Sequence, residues 1–135
     1  MKPQPRAEAE RWLAQARSDL AFAEVGVREG YPAQSCFLCQ QAGEKALKAL
    51  RYLGGERLVF GHSLLELLQS LLNRHPELAG LREAAQRLDQ YYVPTRYPNG
   101  LPAGAPADYY TSSEAERAIA DAEAVLACCR RVLSR

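Results

Sequence analysis

The run from Ala33 to Leu53, AQSCFLCQQAGEKALKALRYL, constrains the fold more than any other part of this chain. It predicts a long helix whose small and apolar residues are spread over more than one face. A helix that is apolar on several sides lies inside a bundle, with neighbours around it. Cys36, Cys39 and Gly43 are small side chains, so we expect the backbones of neighbouring helices to approach closely there.

The polar residues of this run cluster in its middle. Glu44 and Lys48 stand four residues apart in the order that favours an ion pair on a helix. We expect these polar residues to form a solvated strip on an otherwise buried helix. The strip comprises Gln40, Gln41, Glu44, Lys45 and Lys48.

Apolar residues at three- and four-residue spacing predict further helices on both sides of this run. One covers about Ala7 to Arg28, and another begins at Pro76. Ser63 and Thr111, each followed three residues later by a glutamate, form capping boxes that begin two more. No segment alternates with a period of two. The sequence therefore predicts an all-α protein, an up-and-down bundle of four long helices plus a shorter helix.

The segment Val93–Tyr110 differs from the rest of the chain because it holds four prolines and two glycines. Loops of this length within a compact bundle are uncommon. Tyrosines cluster around it, so we expect a long ordered loop that packs against the helices. Residues 1–6 include two prolines and are expected to fray. The length of 135 residues predicts one domain that spans residues 1–135.

Composition excludes several classes of protein. The net charge of +1 rules out a basic surface over the whole chain, so contact with nucleic acid would need a local patch. No signal peptide and no apolar run of about 20 residues is evident, which predicts a cytoplasmic protein without a membrane segment. Four cysteines then indicate buried free thiols, with a metal or redox pair as the alternative. No metal cluster or glycine-rich phosphate loop is evident, and no cofactor is expected.

Several stretches resemble one family in the same chain order. Gln40–Leu50 is similar to the signature of HEPN domains, and Trp12–Leu20 and His62–Leu68 resemble their first and third helices. Arg96-Tyr97-Pro98 resembles the Arg-Tyr-Pro segment before the last helix of small prokaryotic members, and Tyr110-Thr111 then opens that helix. The resemblance covers nearly the whole chain.

The resemblance implies a helical bundle that dimerises. It also implies a minimal nucleotidyltransferase as partner, often in a toxin–antitoxin pair, and contact with nucleotide or RNA. Several branches of the family are metal-independent ribonucleases, in which an arginine is followed after four to six residues by a histidine near the start of the last long helix. Arginine would bind the scissile phosphate there, and histidine would move protons.

This chain departs from that ribonuclease pattern. Arg96 stands in the family's arginine region, yet no histidine follows it. Arg57 and His62 have the right spacing but lie between the second and third predicted helices, and the other histidine, His75, lies beside a proline. Arg57 and His62 are therefore weak catalytic candidates, the alternative being a loop residue and a helix-start residue. The missing histidine favours a protein that is not an enzyme.

The resemblance and the residue types together nominate a nucleotide or phosphate site. Arg96 would contact phosphate, while Tyr97 and Tyr92 would stack on a base, and Lys45 and Lys48 would add positive charge if they face the same cleft. Tyr97 is also the position expected for adenylylation by the partner. One alternative is that Arg96 and Tyr97 only anchor the loop. A second is a non-catalytic protein that forms oligomers and docks its partner, and a third is a ribonuclease.

Overall fold

The computed structural model of the protein describes residues 4–135. Its helices are α1 (Pro5–Glu29), α2 (Pro32–Leu53), α3 (Leu64–Leu71), α4 (Arg82–Asp89) and α5 (Ser112–Leu133), with short 3-10 helices at Pro76–Leu81, Pro98–Gly100 and Pro106–Asp108. The described residues contain no strand. The predicted all-α bundle of five helices is confirmed, although three helices are long and two, α3 and α4, have eight residues each.

Helix α1 begins at Pro5, two residues before the predicted start, because proline fits the first turn of a helix, where its missing N–H has no partner to lose. Arg6, expected to fray, is helical and donates a hydrogen bond to the carbonyl of Leu133 near the end of α5. Residues 1–3 of the segment expected to fray lie outside the described residues.

Helix α2 is the centre of the bundle. It packs against α1, α5, α3 and α4, and Cys36, Cys39, Leu47 and Leu50 are buried among them. Gly43 permits a close approach, since a Cβ there would lie 2.5 Å from Cδ2 of Leu64 on α3. The prediction of small residues at a helix contact is confirmed at this position.

The predicted fourth helix divides into the 3-10 helix Pro76–Leu81 and α4. Glycine is a poor helix former, and Gly80 is the second-to-last residue of the 3-10 helix. The apolar stripe predicted for this helix is nevertheless buried at Leu78, Leu81, Ala85 and Leu88. The long segment after α4 folds back through two short 3-10 helices to reach α5.

Two side chains cap α3 together. Ser63 accepts a hydrogen bond from the backbone N–H of Glu66, at 3.2 Å, as the capping box predicts. Asp89, the last residue of α4, accepts bonds from the N–H groups of Leu64 and Leu65, at 2.6 and 3.0 Å, and from the Ser63 hydroxyl, at 2.9 Å. A carboxylate at a helix N-terminus is favourable both as an acceptor and toward the helix dipole.

All four cysteines are free and buried, as the composition predicted. Burial raises the pKa of the Cys36 thiol to about 12, and it also raises the pKa of Cys39 and Cys129. Such thiols are poor nucleophiles. Within residues 4–135, every helix is too short or too polar to span a bilayer.

Replacing Asp89 with alanine should lower the free energy of unfolding by about 2–3 kcal/mol, because it leaves two N–H groups of α3 without their charged acceptor. Urea unfolding followed by circular dichroism measures this change. Glu83→Ala, at an exposed residue of the same helix α4, is the matched control and should change stability by less than about 0.5 kcal/mol. Equal effects of the two substitutions would contradict the capping role.

Candidate functional site

Three of the five polar residues predicted to form a solvated strip on α2 are buried, which corrects that prediction, while Gln41 and Lys45 are partly exposed. Gln40, Glu44 and Lys48 are only 0%, 4% and 6% exposed. Each follows the previous one by four residues, so the three lie along one side of the helix. Helix α1 and the connector before α3, residues 54–63, cover this side, since Trp12 of α1 lies near Lys48 and the carbonyl of His62 accepts a bond from Gln40.

Glu44 is the acceptor on which this buried group converges. Its Oε2 atom accepts from Nζ of Lys48, at 3.1 Å, and its Oε1 atom accepts from Nε2 of Gln40, at 3.3 Å. Nδ1 of His62 lies 3.2 Å from the same Oε1 atom. Gln40 also donates to the backbone carbonyl of His62, at 2.8 Å. Both oxygens of the Glu44 carboxylate therefore have hydrogen-bond partners within the protein, as a buried charge requires.

Lys48, the partner of Glu44 in the buried ion pair, lies next to an aromatic stack. Its Nζ atom lies 5.9 Å from the ring centroid of Trp12 on α1. The Trp12 ring stacks on Tyr52 with centroids 5.0 Å apart. Lys48 thus joins α1 to the buried group, and its charge is already neutralised by Glu44.

His62 connects the buried group to the protein surface. Its side chain is 57% exposed, and its ring stacks on Tyr92 with centroids 4.6 Å apart and an interplanar angle of 19°. Because Glu44 holds Nδ1, the Nε2 atom is the one that remains available. A buried carboxylate that orients an exposed imidazole is an arrangement suited to proton transfer.

Arg96 lies over three aromatic rings. Its guanidinium carbon is 4.4 Å from the ring centroid of Phe37, 4.6 Å from that of Tyr92 and 5.0 Å from that of Tyr97. Nε donates to the backbone carbonyl of Tyr92, at 2.7 Å. Arg96 is exposed, and no carboxylate within residues 4–135 pairs with it. The cation is held in place while its outer N–H groups stay free for an anion.

The structure thus brings together Arg96, Tyr92 and Tyr97 of the predicted residues, and it adds His62 from the other pair. We call this group, with Phe37, the Arg96 cluster. Arg57 is exposed on the connector, and the hydrogen bonds of the His62 ring go to Glu44 rather than to Arg57.

The two candidate lysines do not provide free positive charge. Lys45 pairs with Asp19 of α1, and Lys48 pairs with Glu44.

Sequence reasoning missed the place of Phe37 in this cluster and the contact of Glu44 with the ring of His62. The signal was present in α2, because Phe37, Gln40, Glu44 and Lys48 recur at three- and four-residue spacing on one side of the helix. Local spacing does not tell which elements cover that side. Among residues 4–135, no group of three His, Cys, Asp or Glu side chains is placed to hold a metal ion.

The comparisons with known proteins agree with this architecture. The model of the HEPN domain family matches residues 9–132. The chain belongs to the HEPN domain family, and the resemblance found in the sequence is confirmed. No protein with a curated description matches it.

Three solved structures are similar over almost the whole chain. The protein TT1696 from Thermus thermophilus is 44% identical, with a TM-score of 0.87, and the match covers 92% of this chain and 97% of that protein. The archaeal HEPN homologue ST0689 is 36% identical, with a TM-score of 0.75 and coverage of 93% and 98%. The HEPN domain protein TM0613 from Thermotoga maritima is 32% identical, with a TM-score of 0.73 and coverage of 93% and 98%.

Replacing Glu44 with glutamine should lower the free energy of unfolding by about 3 kcal/mol, because Lys48 would remain charged and buried without its partner. Adding Lys48→Met should recover about half of this loss or more, because it removes the unpaired charge. Urea unfolding of the two variants gives both values.

Glu56→Gln is the control for that experiment. Glu56 pairs with Arg51 at the surface, where an ion pair contributes at most about 1 kcal/mol. If Glu44→Gln costs no more than Glu56→Gln, the buried pair does not have the structural role described.

Proposed function

We propose that this chain is a nucleotide- or RNA-contacting module that acts with a nucleotidyltransferase partner. The observation that carries the proposal is the position of Arg96, exposed, stacked on aromatic rings and without a carboxylate partner among the described residues. Phosphate oxygens are the ligands that suit a guanidinium held in this way.

The rings beside Arg96 support contact with a base as well as with phosphate. Phe37 is partly exposed and Tyr97 is exposed, whereas the Tyr92 ring already contacts His62 and Arg96. Aromatic side chains next to a cation are the usual platform for unpaired bases, because every base can stack on a ring. The ligand class would therefore be a nucleotide or single-stranded RNA rather than a bare anion.

The nucleotidyltransferase partner and the toxin–antitoxin role come from the family resemblance. Homodimer formation is proposed on the same ground. Tyr97 remains the proposed target of adenylylation. Its hydroxyl has no hydrogen-bond partner within residues 4–135, and the guanidinium of Arg96 over its ring could hold the phosphate of an incoming nucleotide.

Arg96→Ala should weaken binding of a fluorescently labelled single-stranded RNA by about tenfold or more, because it removes a bidentate phosphate contact. Fluorescence anisotropy at several salt concentrations measures the affinity and the number of phosphate contacts. Arg96→Lys should bind with intermediate affinity, since lysine keeps the charge without the planar fork.

Arg82→Ala is the matched control, at an exposed arginine on α4. It should bind RNA like the original protein. Unchanged affinity of a folded Arg96→Ala variant would leave Arg96 as a loop anchor and favour the non-catalytic interaction protein.

A metal-independent ribonuclease is a second candidate function, favoured by the place of His62. The ring of Tyr92 stacks on that of His62. The guanidinium carbon of Arg96 lies 4.6 Å from the centroid of the Tyr92 ring. With Arg96 on the scissile phosphate, Nε2 of His62 would take the proton of the 2′-hydroxyl as its oxygen attacks phosphorus. The bond from phosphorus to the 5′ oxygen would break, and that oxygen would take a proton from water.

If the protein cleaves RNA in the presence of a chelator, His62→Ala should reduce cleavage at least a hundredfold, in line with loss of a general base. Initial rates on a short labelled RNA measure this. His75→Ala serves as the control, since His75 lies outside the Arg96 cluster. Cleavage that survives in His62→Ala would exclude this role for His62.

A further inference from the structure

Phe60, on the connector before α3, is the most exposed large apolar side chain among residues 4–135. It is 81% exposed, and no aromatic ring of the described residues stacks on it. A single exposed apolar residue is common on protein surfaces and indicates nothing by itself. Phe60 differs from such residues in how its backbone is held and in the site that lies beside it.

Hydrogen bonds fix the connector on both sides of Phe60. The backbone N–H of Val59 donates to the hydroxyl of Tyr52, at 3.2 Å, and Val59 itself is buried. The backbone carbonyl of His62 accepts from Nε2 of Gln40, at 2.8 Å. The ring of Phe60 is therefore exposed although the chain on either side of it is anchored. A ring on an anchored backbone has less conformational freedom to lose when a ligand binds to it.

Phe60 also lies beside the Arg96 cluster. It precedes His62 by two residues, so the Cα atoms of these residues are at most about 7 Å apart. The ring of His62 stacks on that of Tyr92, and the guanidinium of Arg96 lies over the same Tyr92 ring. Phe60 therefore adjoins the cluster through His62, whereas Tyr97 adjoins it through Arg96.

We propose that Phe60 stacks on a second base beside the one that the Arg96 cluster binds, so that the ligand of this site is single-stranded RNA rather than a free nucleotide. This inference rests on the proposed function and narrows its ligand class. The strand would place a phosphate at Arg96, one base on Tyr97 and a further base on Phe60. Aromatic rings beside a cation form the usual platform for successive bases of an unpaired strand.

The neighbouring residues of the connector lack this combination of features. Leu58 is 70% exposed but carries no ring. Arg57 lines a cavity together with Glu8 and Glu56, and the charge of these carboxylates disfavours phosphate there. Phe60 is therefore the position of the connector at which stacking is expected.

Fluorescence anisotropy of a short labelled single-stranded RNA, with adenosine 5′-monophosphate as competitor, tests the second base. Phe60→Ala should weaken binding of the RNA by about tenfold, because stacking of one base is lost. Its affinity for the mononucleotide should be unchanged, since that ligand has one base and the Arg96 cluster binds it. Leu58→Ala is the matched control, exposed on the same connector, and should change neither affinity. Circular dichroism confirms that the variants fold.

Conservative variants separate stacking on a ring from apolar contact. Phe60→Tyr keeps the ring and should bind RNA like the original protein. Phe60→Leu keeps apolar bulk alone and should lose most of the affinity that Phe60→Ala loses. Phe60→Trp gives a direct readout, because the fluorescence of an indole at this position should be quenched by RNA and unaffected by the mononucleotide. The original protein, with Trp12 as its one tryptophan, supplies the background signal.

The outcomes distinguish this inference from the proposed function. If Arg96→Ala loses RNA affinity while Phe60→Ala binds like Leu58→Ala, the second base is excluded and the proposed function stands. Equal losses of RNA and mononucleotide affinity in Phe60→Ala would also overturn the inference, because Phe60 would then contact the first base. Unchanged RNA affinity in a folded Arg96→Ala variant would overturn the proposed function and this inference with it.

Discussion

The buried ion pair between Glu44 and Lys48 is the interaction on which most of this structure depends. Two charges inside a small bundle are costly unless every polar atom around them is satisfied. The chain meets this requirement by bringing Gln40 and His62 to the carboxylate and the ring of Trp12 to the ammonium group. The pair therefore fixes where α1 and the connector before α3 sit on α2. An apolar pair would pack as well, but it would not specify the position of His62.

A second interaction, the cap that Asp89 provides for α3, links this buried group to the Arg96 cluster. Asp89 ends α4 and caps α3, so the end of one helix is tied to the beginning of the next. His62 immediately precedes the capped turn, and Tyr92 follows Asp89 by three residues. Their stacking is a consequence of that junction. The cluster is built where two helix ends meet, next to the hydrogen bonds that Asp89 accepts.

The sequence predicts the features that depend on neighbours along the chain. Periodicity locates the helices, and local capping boxes locate the first residues of α3 and α5. The remaining features are non-local. Nothing near Ser63 indicates that Asp89, 26 residues later in the chain, completes its cap. The polar side of α2 has the spacing of a solvated strip, and only the chain that folds over it makes Glu44 and Lys48 buried. Gly80 lies near the point where the predicted fourth helix divides.

The distinction between local and non-local features also applies to catalysis in this family. The motif described for HEPN ribonucleases places arginine and histidine a few residues apart, so a search by spacing selects Arg57 and His62 here, although the His62 ring bonds to Glu44 instead. Proton transfer needs proximity and orientation rather than a particular order along the chain. The fold brings His62 and Arg96 to one place, although they are 34 residues apart along the chain, because Tyr92 lies against each of them. An arginine without a histidine downstream therefore does not by itself remove acid–base chemistry from such a bundle. Whether the site binds RNA or cleaves it depends on the distance from a bound phosphate to Nε2 of His62. The stacking of His62 and Arg96 on Tyr92 sets this distance.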